Sequence, residues 1–110
     1  MRMTKPDLRV TLRFLTTDEG GRKTLAYSGY RPQFYYNSLH YVVNLKFPKE
    51  GIAPGERTTA ELEFLRPELL WGNISVGKLF GIYEGQKKVA EGEVVEIIAL
   101  EEKAQRAKRS

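Results

Sequence analysis

Apolar and polar residues alternate along much of this chain with the two-residue period of β-strands. The apolar positions of the segment "LRVTLRFL" are Leu8, Val10, Leu12 and Phe14. Those of the segment "TTAELEFL" are Ala60, Leu62 and Phe64. The intervening positions are arginine, threonine and glutamate, so each segment predicts a strand with one buried face and one face in water.

Three further segments predict the rest of a sheet. "FYYNSLHYVVNLKF" is rich in aromatic and β-branched residues, and it predicts either two strands or one strand bent around Asn37 and Ser38. "ISVGKLFGIYEG" and "KKVAEGEVVEII" flank Gly85 and Gln86, a pair that is typical of a hairpin turn.

Glycines within the last two predicted strands indicate bulges or tight corners, as closed barrels need: Gly77, Gly81 and Gly92. Only the segment after Leu100 favours a helix. Five or six antiparallel strands without crossover helices predict an all-β fold, as a small barrel or a sandwich. We expect one domain over residues 1–100, followed by a short basic tail, 101–110, with helical propensity.

The composition is that of one globular domain, with 110 residues, 41% of them hydrophobic and 29% charged. Cysteine is absent and His40 is the single histidine, which argues against disulfides and zinc. No apolar run reaches the ~18 residues of a membrane span, and "MRMTKPDLR" lacks the apolar region of a secretory signal. We therefore expect a cytoplasmic protein with no cofactor, no metal and no membrane partner.

The formal charge is +4 and the pI is about 9.4, which mildly favours a polyanionic partner. Part of the positive charge lies in the tail, on Lys103, Arg106, Lys108 and Arg109. Two interpretations of the tail stay open: a frayed, solvated end, or a short basic helix that contacts phosphate or an acidic protein.

The sequence lacks the patterns that catalysis requires. "EGGRKT" fails the phosphate-loop spacing, because Arg22 separates Gly21 from Lys23 and no helix is predicted to follow. The lone His40 supports no Ser-His-Asp arrangement. Three carboxylates of the last strand are typical of a solvated face: Glu91, Glu93 and Glu96. We expect a binding protein that is not an enzyme and binds no nucleotide.

Three segments carry a resemblance to a known family. "DEGGRKTLAYSGYRPQFYY" closely resembles the "DEGGRHTPFF-GYRPQFYF" loop in the third, C-terminal domain of bacterial elongation factor Tu. "APGERTTAELEFLRPELLWG" fits the next part of that domain more faintly. "LFGIYEGQKKVAEGEVVEII" is similar to the family hairpin "RFAIREGGRTVGAGVV". The segments occur in the family's order, and the resemblance covers about residues 8–98.

This resemblance implies a six-stranded antiparallel β-barrel. In the intact factor the barrel packs against a second barrel and a GTPase domain, and it holds the T-stem backbone of aminoacyl-tRNA. Neither of those other domains is encoded here, so we expect a stand-alone barrel rather than a complete factor.

The resemblance also implies an RNA-binding set, which consists of Arg22, Lys23, Gln33, Arg66, Glu84 and Gly85. Such residues suit a ribose-phosphate backbone, because arginine forks bind phosphate, glutamine reaches hydroxyls and glycine permits close approach. The chain departs from the family where "NSLHYVV" replaces "RTTDVTG", and where Glu91 occupies the position of a small residue. In the family, part of the tRNA-facing surface is built at the segment that "NSLHYVV" replaces.

Two functions stay open. The first is an RNA-binding, translation-associated module on a tRNA or ribosomal RNA backbone, which requires a closed barrel and a solvent-facing guanidinium at Arg22. The second is a protein-interaction module that docks a protein of the translation machinery through the former interdomain face, with an exposed apolar patch around Trp71. Only the first predicts binding that weakens steeply with salt.

The aromatic residues of the loop and the following strand are Tyr27, Tyr30, Phe34, Tyr35 and Tyr36. They invite a base-stacking interpretation. We expect them instead to pack in the core or on the barrel surface, because aromatic side chains in strands mostly stabilise cross-strand contacts.

Overall fold

The computed structural model describes residues 5–109. Residues 1–4, which begin the predicted domain, and Ser110, which ends the predicted tail, lie outside the described part, as does the side chain of Arg109. The strands are β1 (Leu8–Phe14), β2 (Gln33–Tyr36), β3 (Leu39–Lys46), β4 (Arg57–Phe64), β5 (Leu79–Glu84) and β6 (Lys87–Ile97). A 3₁₀ turn spans Pro67–Leu69, and helix α1 spans Leu100–Arg109.

The six strands form a closed barrel in the order β1-β4-β3-β2-β5-β6, and every neighbouring pair is antiparallel. This confirms the six-stranded antiparallel barrel and decides between the barrel and the sandwich. Because the strands are antiparallel, the β1–β2 loop and the β5–β6 turn lie at one end of the barrel. The 3₁₀ turn and α1 lie at the other end.

The alternating pattern of β1 and β4 fills the barrel interior, as predicted. The buried positions of these two strands are Leu8, Val10, Leu12, Phe14, Ala60, Leu62 and Phe64. Phe34 of β2 lies among them, with its ring centroid 5.0 Å from that of Phe64 and 4.4 Å from that of Phe80. A dense aromatic centre therefore holds opposite walls of the barrel together.

The segment around Asn37 and Ser38 makes two strands rather than one bent strand. Both residues have positive φ angles, 52° and 64°, as the two central residues of a type I′ turn require. Tyr36 and Leu39 pair directly across this turn. The tight turn therefore sets the register of β2 against β3.

The prediction for the glycines is partly wrong. Gly77 precedes β5 and has a φ of +91°, so it is a turn residue. The two bulges lie in β6, at Val89 and Val95, where the register shifts. Gly92 is instead a point of close approach, because an added Cβ would lie 2.3 Å from the carbonyl oxygen of Thr11 in β1.

The tail is an ordered helix that packs on the barrel, so the frayed-end interpretation is wrong. Leu100 and Ala104 are buried. Lys103 Nζ lies 2.8 Å from Glu63 Oε2 and 3.3 Å from Asp7 Oδ1. The other Asp7 oxygen accepts a hydrogen bond from the main-chain N–H of Phe64 at 2.6 Å. Within residues 5–109, α1 is the longest helix, and no helix could cross a membrane.

Candidate nucleic-acid interface

The loop between β1 and β2 folds over the end of the barrel and brings Arg22 to the β5–β6 hairpin. The guanidinium forms an ion pair with the carboxylate of Glu84, which is 62 positions away in sequence. Its central carbon lies 4.9 Å from the ring centroid of Tyr30, within the range of a cation–π contact. The hydroxyl of Tyr30 donates to the same Glu84 oxygen.

The Arg22 side chain is only 20% exposed. Its Nη2 also donates to the hydroxyl of Thr24 at 3.2 Å and to the carbonyl oxygen of Leu25 at 3.1 Å. The expectation of a freely solvent-facing guanidinium is therefore not met. Nε, Nη1 and Nη2 each donate within the protein, so Arg22 holds the loop and Glu84 in place. In an RNA complex the phosphates would have to be bound by neighbouring lysines instead.

Burial and pairing set the charge states of this cluster. Burial, followed by the hydrogen bond to Glu84 and then by the charge of Glu84, raises the pKa of Tyr30 well above its ordinary value, so the hydroxyl keeps its proton as a donor. Burial opposes the charge of Arg22, but its hydrogen bonds to Glu84 and Tyr30 still raise the pKa of the guanidinium. At neutral pH, Arg22 is a cation and Tyr30 a neutral donor.

We define the rim as Arg22, Lys23, Glu84, Gly85 and Lys87. Lys87 pairs directly with Glu84 across the hairpin, whose tip residue Gly85 is exposed and has a φ of +63°. Within residues 5–108, no carboxylate lies at ion-pair distance from Lys23 or Lys87. The rim therefore combines one neutralised pair with two cations, Lys23 and Lys87, for which the described residues provide no ion pair.

A second ion-pair cluster fixes the beginning of the same loop. Arg13 contacts Glu19 at 3.0 Å and Glu91 at 3.1 Å. Glu19 also accepts a hydrogen bond from the main-chain N–H of Thr16 at 2.8 Å. The Arg13 hydrogen bond, helped by that of Thr16, lowers the pKa of Glu19 to about 2. Glu91, an expected departure from the family, thus pairs with Arg13 on the outer wall.

We expect an NMR carboxyl titration to place the Glu19 transition at about pH 2, against an ordinary value of 4.5. A depressed folded-state pKa stabilises the fold at pH values above the ordinary value. This stabilisation is lost as the pH falls through the folded-state pKa. In an Arg13→Gln variant the transition should move back towards the ordinary value. A transition of Glu19 near its ordinary pKa in the parent protein would contradict this contact.

Gln33 lies beside the rim, on the outer face of β2. It pairs with Tyr83 of β5 on one side and with Val42 of β3 on the other. Because Tyr83 immediately precedes Glu84, the half-buried amide of Gln33 lies next to the rim residues. Gln33 and the four predicted residues Arg22, Lys23, Glu84 and Gly85 therefore share one end of the barrel.

The remaining two predicted residues lie at the opposite end. Arg66 follows β4, is 64% exposed and pairs with Glu68 at 2.6 Å. Trp71 is half-buried and packs against the core cluster, so it is not the exposed anchor that the sequence suggested. The exposed apolar side chains of this end include Leu65, which is 68% exposed, and Leu69, which is 47% exposed. The predicted set therefore forms two separate surfaces.

The structure adds a feature that the sequence analysis missed, a cluster of three rings on the outer wall. We call Tyr35, His40 and Tyr83 the ring cluster. Their ring centroids lie 4.8 Å (Tyr35–His40), 5.3 Å (Tyr35–Tyr83) and 5.3 Å (His40–Tyr83) apart. Tyr35 and His40 are equally far from the Asn37–Ser38 turn. A prediction of a two-residue hairpin at this turn would therefore also have predicted that these two residues pair.

An open cleft of about 1000 Å³ adjoins the ring cluster along the outer wall. Tyr35 and Lys88 line one side of it, and Arg13 and Arg57 line another. Gly81, which carries no side chain, forms part of its surface. The cleft is therefore wide, open and partly cationic.

A comparison with known families matches this architecture. The family model of the elongation factor Tu C-terminal domain matches residues 4–98, a region that contains all six strands and the rim. Helix α1 follows the matched region. The match covers most of the chain, and the closed six-stranded barrel agrees with it. The chain therefore belongs to the elongation factor Tu C-terminal domain family.

Proposed function

We propose that this translation-factor-like barrel is a non-catalytic module that binds the ribose-phosphate backbone of a tRNA or ribosomal RNA at the rim. One observation carries the proposal: the fold gathers Arg22, Glu84 and Gly85, from distant parts of the chain, beside the free cations Lys23 and Lys87. Family membership supports the same role.

The chemistry of the rim suits a sugar-phosphate backbone. A lone carboxylate would repel phosphate, but the charge of Glu84 is neutralised by Arg22. One Glu84 oxygen accepts from both Arg22 and Tyr30, which leaves the other oxygen to accept from a ribose 2′-hydroxyl. Lys23 and Lys87 then attract the neighbouring phosphates, and the bare backbone at Gly85 permits close approach.

The second candidate is a docking site for a protein of the translation machinery at the opposite end of the barrel. Its support is the exposure of Leu65 and Leu69 beside the half-buried Trp71. Apolar side chains exposed together are typical of protein-binding surfaces. Binding there would tolerate salt, because it would release few counterions.

The experiment that tests the RNA proposal is a mobility shift with tRNA and a ribosomal RNA fragment, at about 50 mM and about 200 mM salt. We expect the parent protein to lose affinity steeply between the two. A Lys23→Ala/Lys87→Ala variant should bind more weakly at low salt, and the slope of log affinity against log salt should fall by about 2, one for each lost phosphate contact.

The matched control is Lys78→Ala, because Lys78 is an exposed lysine just before β5, at the opposite end of the barrel. It should leave affinity and slope at the parent's values. A parent that fails to shift either RNA at low salt would refute the proposal, and so would a rim double variant that binds as the parent does. A salt-tolerant complex with a translation protein, weakened by Leu65→Ser, would favour the second candidate.

A further inference from the structure

We propose that the RNA bound by this barrel presents an unpaired nucleotide, whose base stacks on the ring cluster while its phosphate lies in the adjoining cleft. The inference rests on the proposed RNA-binding function and specifies the class of RNA. It changes the expectation that Tyr35 is only a packing residue.

The ring cluster has the geometry of a stacking platform. Tyr35 and His40 face each other across β2 and β3, and Tyr35 faces Gly81 of β5. The Tyr83 ring leans over this glycine, since a Cβ added at Gly81 would lie 2.9 Å from the ring carbon Cε1 of Tyr83. The glycine lets three rings from three strands come together on the outside of the barrel.

These rings are not part of the core. The inward-facing aromatic residues of the same strands, Phe34 and Phe80, are buried. Tyr35 and Tyr83 are half-buried on the outer face, and His40 is exposed. The rings therefore keep surface available to a ligand, and aromatic faces stack on any base because every base has a π-face.

The charged side chains of the cleft wall favour a polyanion over an apolar partner as the ligand of the cleft. Arg57, on the wall of the cleft, is exposed, and within residues 5–108 no carboxylate lies at ion-pair distance from it. Lys88 pairs with Tyr83 in register and lies between the rings and the cleft. The nearby carboxylate of Glu91 is already paired with Arg13 and Lys88. The exposed carboxylate of Glu93 also lines the cleft, so the wall carries three cations and two carboxylates, and a phosphate would be bound on the side of Arg57.

The ring cluster and the rim form one continuous path. Tyr83 immediately precedes Glu84, and Gln33 pairs in register with Tyr83. A backbone held at the rim would therefore pass next to the ring cluster. A base inside a duplex is covered on both faces, so only a bulged or single-stranded base can stack there.

The test uses two RNA duplexes that differ by one nucleotide: in one the stem is fully paired, and the other carries a single bulged adenosine. The parent protein should bind the bulged RNA about 10-fold more tightly, as one base–aromatic stack provides. Tyr35→Leu and Tyr83→Leu should each reduce this to the affinity for the paired stem. Binding of the paired stem itself should stay at the parent's level.

Two controls separate stacking from other effects. Tyr83→Phe keeps the ring and should keep the preference for the bulge, as should Tyr27→Leu, because Tyr27 is 54% exposed and outside the ring cluster. Thermal denaturation of each variant identifies any that fail to fold. Tyr35→Leu and Tyr83→Leu alter the ring cluster from two different strands, so each is an independent test of stacking.

Equal affinity of the parent for the two RNAs would overturn the inference and leave the proposed function standing. If the ring variants lost affinity for both RNAs, the inference would also be overturned, since the rings would then contribute to the binding of paired RNA as well. If both proposals hold, a rim variant should reduce the affinity for both RNAs by the same factor and leave the preference for the bulged RNA unchanged. Failure of both RNAs to bind the parent would overturn the two together.

Discussion

Replacement of Asp7 by alanine is expected to lower the free energy of unfolding by about 3 kcal/mol, because it leaves a buried N–H without its acceptor and a partly buried lysine with one partner fewer. Asp7 is fully buried. Its carboxylate accepts from the N–H of Phe64 at 2.6 Å and lies 3.3 Å from Lys103 of α1. This side chain therefore joins β1, β4 and the helix.

Urea denaturation followed by circular dichroism measures this effect, and Asp18→Ala is the matched control. Asp18 is an exposed residue of the β1–β2 loop, so its replacement should change stability by less than about 0.5 kcal/mol. Burial raises the pKa of Asp7, although the Phe64 N–H and Lys103 both favour its charged form. A variant as stable as the parent would mean that α1 is not anchored through this carboxylate.

Replacement of Phe34 by alanine is expected to cost about 3–5 kcal/mol, the range for removing a large buried aromatic side chain. Phe34 is 0% exposed, and its ring contacts those of Phe64 and Phe80 from two other strands. The cavity would lie at the centre of the barrel, where closed walls leave the neighbouring side chains little freedom to move inward.

The same denaturation experiment measures the loss, with Tyr27→Ala as the control for deleting an aromatic ring. Tyr27 is 54% exposed, and its loss should cost much less than that of Phe34. If the two variants were equally stable, Phe34 would not be the centre of the core. Tyr83 offers no such control, because its ring belongs to the ring cluster.

The closed barrel favours RNA binding at the rim, because it holds the binding groups in place. A barrel end is rigid, so the rim holds Arg22, Glu84 and Gly85 at fixed separations before any ligand arrives. Preorganised contacts lose less entropy on binding than flexible ones do. The predicted reduction in salt slope for the Lys23/Lys87 variant tests whether this end is the one that meets phosphate.

The sequence predicted much of the fold because strand faces have a strict period. Leu8, Val10 and Leu12 alternate with polar residues, and the structure buries each of them. Gly85 marked the hairpin, since a two-residue turn favours glycine. By contrast, Gly77 was assigned to a strand although it is a turn residue, because a glycine in sequence does not reveal the sign of its φ angle.

The site was predicted less completely. The family resemblance pointed to Arg22 and Glu84, but nothing in the sequence indicated that they pair with each other. Arg66 and Trp71 were placed in the candidate sites, and the fold puts both at the other end of the barrel from the rim. The free cation Lys87 was missed because hairpin residues were interpreted mainly by their turn chemistry.

The sequence by itself determined the strands, the two turns that set their register and the helical propensity of the tail, because these depend on residues that are close in the chain. Only the tertiary structure decided which distant residues meet. Closure of the sheet brought Arg22 to Glu84, joined the rings of Tyr35, His40 and Tyr83, and anchored α1 through Lys103. Such contacts depend on the register and curvature of all six strands together, which no local pattern encodes.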